Sequence, residues 1–368
     1  MTNTMADTSS RRFTKPCCTP IRVAVVVAVA TAGFAGHVHA QAGDAEKRQV
    51  SVREIWRTYG DPGFGEVRGM AAWPDGTVWV GDNRLAEVSE VSTDGRRVRV
   101  VLSEGEGPRE VGRVHRLDAL PNGGMIVRTS SHYHFFGRDK RLRKRRPRTA
   151  SVWLWGFAAA PDGGFIQSGG YGSQASNELA RYSVHRYDDN GDHQRSWHPA
   201  VDHDDWEVVR SASGGAISVT PQGGLLVSDA APFRITRYAD LNGNGAQLII
   251  EDESIVSSAE LEKAVVRGSN NSIRYTEGWN KSVYVGELGN AHILNVSFFW
   301  PDDGGEDERA HTLWVVVSPD GEVVARTRVN AGYRVWNVTP DGYYLASVWD
   351  YDEFQFAAVK LEVSVSEP

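Results

Sequence analysis

The chain has 368 residues, of which 40% are hydrophobic and 24% are charged, and its formal net charge is −7. This apolar content excludes a disordered chain, and no run of about 20 apolar residues exists that would let the chain cross a bilayer repeatedly. A scaffold stapled by disulfides is excluded as well, because the two cysteines are Cys17 and Cys18, close to the N-terminus.

The first 42 residues have the pattern of a signal peptide. A basic segment precedes a short apolar run rich in Val and Ala, from Ile21 to Ala35, and the small residues of Ala40-Gln41-Ala42 fit a cleavage site. The alternative is an uncleaved membrane anchor. Because the apolar run is shorter than the ~20 residues that a transmembrane helix needs, we expect cleavage, after Ala40 or after Ala42.

Removal of this leader changes the charge of the protein. Residues 1–40 carry four basic residues and one acidic residue, so their loss shifts the formal net charge from −7 to −10 and removes both cysteines. A chain without cysteine suits an oxidising compartment, and a negative overall charge argues against a nucleic-acid partner. We therefore expect the mature chain, residues 43–368, to be periplasmic or secreted, with no membrane span and no nucleic-acid partner.

A repeated unit runs through the mature chain. Each copy has an apolar segment, a turn resembling Pro-Asp-Gly and a second apolar segment rich in Val, Ile, Tyr and Trp, which is the pattern of a β-hairpin. Five copies are clear and a sixth is degenerate. The clear copies are residues 71–80, 119–127, 159–166, 219–227 and 338–345, and the degenerate copy is 278–285.

A second hairpin follows the first in several units, which gives about four strands per unit. Its turns are Thr93-Asp94-Gly95, Asp189-Asn190-Gly191 and Pro319-Asp320-Gly321. Four-stranded units repeated around a ring form a β-propeller. The sequence therefore predicts an all-β fold, a six-bladed β-propeller that spans residues 43–368; five or seven blades are the open alternatives.

The last unit lacks its outermost strand. The chain ends after the apolar segments 343–348 and 354–363, whereas Gln49–Arg57 is a spare strand before the first unit. We expect this N-terminal strand to complete the last blade, because pairing it there closes the ring and removes a sheet edge. One helix is predicted from Ala259 to Arg267, capped by Ser258, in an insertion between blades four and five.

Two segments resemble known repeats. Residues 229–238, with Asp229, Arg234 and Ile235, resemble the Asp-x4-Arg-Ile segment of NHL-type repeats, and residues 105–110 resemble the Gly-x-Gly-Pro-Gly-Glu segment of exported bacterial six-bladed propellers. Arg109 replaces the last Gly of the second motif. The resemblance implies the fold but no particular activity, because proteins of this kind include scaffolds, binding proteins, lactonases and lyases.

The repeat also predicts which residues surround one end of the central channel. In a propeller the Pro-Asp-Gly turns face one side and the loops between blades face the other, where ligands usually bind. Counting back six residues from each turn proline gives the residues at this opening, with Arg274 one place out of register in the degenerate unit. They are Arg68, His115, Trp155, Gly215, Arg274 and Arg334.

Several arginines around one opening would bind the carboxylate or phosphate of a small anionic ligand. The alternative is that acids on the neighbouring second strands neutralise these arginines. Those acids, eight residues past each turn, are Asp82, Asp229 and Glu287. The two arrangements make opposite predictions for the partners of the arginines.

A calcium-loop pattern lies in the fourth unit. Asp240, Asn242, Asn244 and Glu251 follow the spacing D-x-[DN]-x-[DN]-G-x5-E, in which alternating oxygen ligands wrap a Ca²⁺ ion. Strands and not helices flank the pattern, and it aligns with the hairpin at residues 187–192. An ordinary outer turn is therefore the alternative to a calcium site.

Eight of the eleven residues from Arg138 to Arg148 are basic, in a chain that is otherwise acidic. The segment coincides with the outer hairpin of the second unit. Charge on an exposed edge strand prevents pairing between molecules, which is one explanation. An anionic envelope polymer or lipid surface as partner is the other.

These patterns favour an exported binding or interaction protein, whose channel mouth takes a small anionic molecule or a protein partner. Trp336 and Trp349 could line that opening. The alternative is a metal-dependent lyase or a lactonase-type hydrolase at the same opening, although none of the common catalytic motifs occurs. Its candidate residues are His115, His132, Asp229, Glu287 and Asp350.

Overall fold

The structure is a computed structural model. It describes residues 48–60, 63–105, 107, 110–148, 154–170, 178–204, 208–209, 213–229, 233–252, 265–267, 273–275, 281–288, 290–298 and 310–366. These residues belong to one compact unit, Glu46–Pro368. The predicted signal peptide lies outside the described residues, and so does most of the predicted helix. Within the described ranges, no helix is both long enough and apolar enough to cross a membrane.

The described strands form six sheets of four or five strands each, arranged as the blades of a β-propeller. Blades one and two follow each other in the chain. Blade one contains β2 (Val67–Ala72), β3 (Val78–Asp82), β4 (Glu87–Val91), β5 (Arg97–Glu104) and β6 (Glu110–Val111), after the N-terminal strand β1 (Val50–Thr58). Blade two contains β7 (Val114–Ala119), β8 (Met125–Thr129), β9 (His132–Phe136) and β10 (Leu142–Pro147).

Blades three and four have the same order. Blade three contains β11 (Gly156–Ala159), β12 (Phe165–Ser168), β13 (Tyr182–Tyr187) and β14 (His193–Pro199), with a 3-10 helix at Glu178–Arg181. Blade four contains β15 (Ile217–Val219), β16 (Leu225–Asp229), β17 (Arg234–Tyr238) and β18 (Gln247–Glu251). A separate hairpin follows, formed by β19 (Val265–Arg267) and β20 (Ile273–Tyr275).

Blades five and six close the ring. Blade five contains β21 (Lys281–Leu288), β22 (Ala291–Phe298), β23 (His311–Val317) and β24 (Val323–Val329). Blade six contains β25 (Arg334–Val338), β26 (Tyr344–Asp350), β27 (Gln355–Val365) and β1.

The Pro-Asp-Gly turns explain why each blade begins with a hairpin. In the first copy Asp75 accepts the backbone N–H of Thr77 at 3.0 Å, and the N–H of Gly76 donates to the carbonyl of Trp73 at 2.9 Å. Gly76 has a φ of 81°, which is in the left-handed region that glycine adopts without steric cost. The turn therefore reverses the chain between β2 and β3.

Apolar side chains pack between neighbouring blades, and every pair of adjacent blades shares a buried cluster. Several tryptophans are at the centre of these clusters. Trp73 and Trp79 lie between blades one and two, Trp197 lies between three and four, and Trp314 lies between five and six. Inter-blade packing thus forms a continuous apolar ring around the channel.

The N-terminal strand completes the last blade, as the sequence predicts. β1 pairs antiparallel with β27, from Val50 opposite Val365 to Thr58 opposite Ala358. β1 therefore covers the outer edge that β27 would otherwise expose. This pairing joins the beginning of the propeller to its end and closes the ring.

Blade five differs from the predicted alignment. The sequence places residues 283–285 in a second strand after a degenerate turn, whereas β21 spans Lys281–Leu288 and contacts the innermost strands β15 and β25. β21 is thus the innermost strand, and it pairs antiparallel with β22, from Leu288 opposite Ala291 to Lys281 opposite Phe298. The predicted helix also differs where the structure describes it, because Val265–Arg267 is strand β19.

The innermost strands β2, β7, β11, β15, β21 and β25 contact one another around a central channel. We call the end at which these strands begin the mouth, and the end that carries the Pro-Asp-Gly turns the turn end. The two ends hold different side chains, and each is described separately below.

Candidate functional site

Three arginines converge at the mouth, from blades one, two and six. Arg116 donates to the carbonyl oxygens of Arg68 at 3.1 Å and Trp155 at 2.9 Å. The guanidinium carbon of Arg116 lies 4.6 Å from the ring centroid of Trp336, and that of Arg334 lies 4.2 Å from the same centroid. We call Arg68, Arg116 and Arg334 the mouth arginines.

The mouth arginines crowd one another electrostatically. Burial lowers the pKa of Arg116, and the positive charges of Arg334 and Arg68 lower it further. Burial and the charge of Arg68 lower the pKa of Arg334 to about 9, against the opposing effect of Glu66. Guanidinium groups nevertheless remain protonated near neutral pH. The cluster thus concentrates positive charge at one place.

Glu66 offsets part of this charge. Its carboxylate accepts hydrogen bonds from Nε of Arg68 at 2.8 Å and from Nδ2 of Asn83 at 2.6 Å. Burial opposes the ionisation of Glu66, but the bonds from Asn83 and Arg68 outweigh burial and lower its pKa. One glutamate therefore bonds Arg68 and also interacts electrostatically with Arg334.

His115 lies beside the mouth arginines and is uncharged near neutral pH. Burial lowers its pKa to about 4, and the charges of Arg128, Arg148 and Arg68 contribute to this shift. A lowered histidine pKa is the expected response to positive surroundings. The imidazole of His115 can therefore donate or accept a hydrogen bond there without adding charge.

The acids that could neutralise the mouth arginines have other partners. Asp82 is fully buried and accepts backbone N–H groups of residues 65, 66, 84 and 85, at 2.6–3.2 Å. Asp229 lies 2.7 Å from Nε2 of His198. Asp350 accepts from the hydroxyl of Tyr59 at 2.7 Å and from Arg57 at 2.5 Å. Asp82 and Asp229, two of the acids predicted to neutralise the arginines, are thus engaged with other groups, and so is Asp350, a candidate of the enzyme alternative.

Two predicted site residues lie away from the mouth. Glu287 on β21 lies opposite His292 on β22, at the turn end. Burial raises the pKa of Glu287, and the charge of Arg237 opposes that rise. The backbone of Arg274 lies in β20, in the separate hairpin and not on an innermost strand. Both differences follow from the shifted alignment of blade five.

A cavity of about 510 Å³ lies at the turn end of the channel. The turn prolines Pro121, Pro161 and Pro221 form part of its rim, and side chains of the innermost strands form its wall. We call it the turn-end cavity. Its main wall residues are Asp118, Phe157, Ser218, Tyr284, Trp336 and Asn337.

Asp118, which lines the turn-end cavity, accepts three hydrogen bonds. Its Oδ1 accepts from the N–H of Ala119 at 2.9 Å and from Nδ2 of Asn337 at 2.6 Å, and its Oδ2 accepts from the N–H of Ala159 at 2.5 Å. Burial nevertheless raises the pKa of Asp118 to about 6. Desolvation of the charged form thus outweighs the three bonds.

Sequence reasoning missed Arg116 and Asp118. A β-bulge at His115, between the pairs of Val114 and Arg116 with β8, changes the alternation of β7, so that both His115 and Arg116 lie at the mouth. A signal for Asp118 is present in the repeat. Three residues before each turn proline, the other clear copies carry small or neutral residues, namely Ala71, Ala158, Ser218 and Asn337.

The predicted calcium ligands are split between the two ends of one hairpin. In the turn, Asp240 accepts the N–H of Asn242 at 2.7 Å and Nδ2 of Asn244 at 2.7 Å. Glu251 lies at the other end of the hairpin, opposite Arg234, with which it forms an ion pair at 2.9 Å. The turn therefore has the hydrogen bonds of an Asx turn, and Glu251 is separated from it.

The enzyme alternative also lacks a convergent set of groups in the described residues. His132 lies on β9, outside the innermost strands, and its Nδ1 is 2.8 Å from the hydroxyl of Ser131. Asp229 is bonded to His198, and Asp350 is bonded to Tyr59. No three His, Cys, Asp or Glu side chains among the described residues are grouped so that they could hold a metal ion.

The basic segment forms the outermost strand of blade two and its turn. Lys144 pairs with Asp189 of blade three at 2.7 Å, and Arg143 pairs with Asp139 at 2.8 Å. The side chain of Arg141 is 83% exposed and that of Arg143 is 60% exposed. Some of the positive charge therefore connects blades, and some faces solvent.

No protein-family model matches the sequence. A search of curated proteins also finds no match. Solved structures with the same fold include a candidate exported protein from Bacteroides fragilis, with a TM-score of 0.55 and 10% identity over 86% of this chain and 95% of that chain. A member of the DUF4221 family from Bacteroides vulgatus has a TM-score of 0.52 and 9% identity over 87% of this chain and 100% of that chain.

Enzymes with this fold are also similar to the chain. The PQQ-bound form of an aldose sugar dehydrogenase from Streptomyces coelicolor has a TM-score of 0.51 and 14% identity over 86% of this chain and 99% of that chain. These structural similarities establish the β-propeller fold. At sequence identities this low they establish no particular activity.

Proposed function

We propose that this propeller is an exported binding protein, and that its channel mouth takes the anionic group of a small molecule. The observation that carries the proposal is the convergence of Arg68, Arg116 and Arg334, whose charges lower the pKa values of Arg116 and Arg334. A bound carboxylate or phosphate would offset this repulsion. Guanidinium groups suit such ligands because their N–H donors match both oxygens of the anion.

The partners of the nearby acids support binding at this end of the channel. Asp82, Asp229 and Asp350 satisfy backbone N–H groups, His198, Tyr59 and Arg57, so they do not compete with a ligand for the mouth arginines. The scatter of the candidate catalytic residues favours binding over the lyase or lactonase alternative. A protein partner would have to present an acidic side chain to the same opening.

Export is part of the proposal. The leader pattern in residues 1–42 and the fold shared with a candidate exported protein support it. The expressed chain should lose its first 40 or 42 residues, which N-terminal sequencing of the periplasmic or secreted product would detect. Recovery of the intact chain from the cytoplasm would overturn the export part and leave the binding part standing.

The binding proposal is tested with citrate and inorganic phosphate as probes. We expect either anion to raise the melting temperature of the protein, because a ligand that binds only the folded state stabilises it by about 2.7 kcal/mol at a hundredfold excess over its Kd. Arg116→Gln and Arg334→Gln should lose this response. Arg141→Gln, at an exposed position of the basic segment, is the matched control and should keep it.

Two outcomes would contradict the proposal. One is that neither anion raises the melting temperature of the unaltered protein. The other is that the anions stabilise the Arg116 and Arg334 variants as much as the control. In the second case the anions would bind elsewhere, and the basic segment on blade two would be the next site to test.

A further inference from the structure

The turn-end cavity carries a second inference, which does not depend on the mouth arginines. Asp118 is the one charged side chain among the described residues that line this cavity. Its three hydrogen-bond donors, the N–H groups of Ala119 and Ala159 and the amide of Asn337, are all neutral. The negative charge of Asp118 is therefore stabilised by dipoles alone, in surroundings that desolvate it.

The carboxylate also retains an acceptor position. Oδ1 accepts two hydrogen bonds and Oδ2 accepts one, whereas a carboxylate has about four acceptor sites. Because Asp118 lines the cavity, a ligand group inside it can reach this remaining position. A charged donor would form a shorter and stronger bond there than a neutral donor.

The rest of the wall suits the body of an organic molecule. Phe157, Tyr284 and Trp336 contribute aromatic rings, and Ser218 and Asn337 contribute neutral polar groups. Aromatic faces attract cations and pack against apolar groups. A cavity of about 510 Å³ is within the usual range of small-molecule sites, roughly 300–1,000 Å³.

The charge of the wall decides between ligand classes. An anion in this cavity would meet Asp118, with no cationic side chain among the described wall residues to offset the repulsion. A neutral polyol would leave the carboxylate without a countercharge. A bare metal ion is disfavoured because the described residues contain no group of three His, Cys, Asp or Glu ligands.

We propose that the turn-end cavity is a binding site for a small organic amine in its ammonium form. The ammonium group pairs with Asp118, and the apolar body of the amine lies against Phe157 and Trp336. The two ends of the channel then select opposite charges, an anion at the mouth and a cation at the turn end. The two sites share Trp336, but Asp118 belongs to the cation site alone and the mouth arginines belong to the anion site alone. Substitutions of these charged residues therefore test each site separately.

Tryptamine and tryptophol are the probes, because they share the indole and differ in whether an ammonium group or a hydroxyl ends the side chain. We expect calorimetric titration at pH 8 to show tryptamine binding at least about tenfold more tightly than tryptophol, as a charge-assisted bond requires. Equal affinities for the two probes, or no binding of tryptamine, would overturn the proposal.

The pH dependence in the unaltered protein gives a second test. Asp118 has a pKa of about 6, so it is ionised at pH 8 and largely protonated at pH 5. Tryptamine stays protonated over this range. We expect its affinity to fall about tenfold from pH 8 to pH 5. An unchanged affinity would rule out Asp118 as the partner.

Variants localise the site. Asp118→Asn should lower the tryptamine affinity by about tenfold or more, and Asp320→Asn, the same substitution in an exposed turn, should leave it unchanged. Circular dichroism reports whether Asp118→Asn folds. If it does not fold, the isostere and pH comparisons still decide the question, because both use the unaltered protein. Citrate titrations report on the mouth separately.

Discussion

The guanidinium carbon of Arg334 lies 4.2 Å from the ring centroid of Trp336, two residues further along the same strand. Arg116 approaches the same ring from blade two, at 4.6 Å. Trp336 also forms part of the wall of the turn-end cavity, and its indole N–H donates to the hydroxyl of Ser347 at 2.9 Å. One indole therefore contacts both the arginine cluster and the cavity.

We expect Trp336→Leu to weaken anion binding at the mouth. The change removes two cation–π contacts, each of which contributes about 0.5–2 kcal/mol depending on desolvation, and leaves both guanidinium groups less well positioned. Citrate affinity, measured by calorimetry, should fall about tenfold. The control is Trp349→Leu, at a ring that packs against Phe356. A similar loss in both variants would mean that the effect is one of general stability.

The closing strand predicts a pH dependence of stability. Glu54 on β1 accepts hydrogen bonds from Arg57 at 2.6 Å and from Tyr333 at 2.6 Å. Burial opposes ionisation of Glu54, but these bonds outweigh it and lower its pKa. A lowered carboxyl pKa stabilises the folded state above the unfolded pKa, and this stabilisation disappears as the pH falls through the folded pKa.

Glu54→Gln should therefore lower the free energy of unfolding at pH 7, and the difference from the unaltered protein should shrink below about pH 4. Urea unfolding at a series of pH values measures this. Glu362→Gln breaks the exposed pair with Arg53 on the same two strands and serves as the control. Its effect should stay within about 1 kcal/mol, since exposed ion pairs contribute little. A difference for Glu54→Gln that does not change with pH would contradict the mechanism.

His198 connects blades three and four through two hydrogen bonds. Its Nε2 lies 2.7 Å from Asp229 and its Nδ1 lies 2.8 Å from the hydroxyl of Tyr238. Its φ of 62° is in the left-handed region, where Asn is tolerated better than Ala. His198→Ala should cost about 2–4 kcal/mol of unfolding free energy, because it leaves buried polar groups without partners.

His198→Asn should cost less than His198→Ala, since Asn accepts the backbone conformation and supplies one donor. His203→Ala, at an exposed position, should change the unfolding free energy by less than about 0.5 kcal/mol. Equal costs for the Ala and Asn variants of His198 would show that neither the backbone conformation nor the polar partners determine the stability at this position.

The basic segment predicts binding to polyanions. The double substitution Arg141→Gln with Arg143→Gln removes exposed charge and spares Lys144, which pairs with blade three. We expect retention on heparin to weaken and the melting temperature to change by only about 2 °C, because exposed ion pairs stabilise little. Unchanged retention would leave protection of the sheet edge as the explanation of the segment.

Much of the fold is predictable from the sequence, because Pro-Asp-Gly turns fix the start of each hairpin at a constant place in the repeat. The blade order and the closing strand follow from these turns. Blade five is the exception. In its first hairpin Leu288 pairs with Ala291, and the sequence between them contains no Pro, so the repeat gave no turn by which to align this blade. The predicted alignment was therefore wrong by one strand.

The site is less predictable, because it depends on where side chains point. Counting back from the turns places Arg68 and Arg334 near the start of innermost strands, where the structure has them, but the bulge in β7 brings Arg116 to the mouth as well. The partners of Asp82, Asp229 and Asp350 could not be predicted from spacing, because distant parts of the fold supply them: loops for Asp82, β14 for Asp229, and β1 with the residue after it for Asp350. A cavity such as the one around Asp118 depends on the packing of several blades, which no single segment encodes.

The hydrogen bonds between Gln49 and Ser366 join residues that are 317 positions apart. At the usual rates of synthesis, roughly 15 to 60 seconds pass between the synthesis of Gln49 and that of Ser366. During that time β1 is complete but has no partner strand. A chain that ends before β27 lacks the strand with which β1 pairs, so the ring closes only after the last strand has been synthesised.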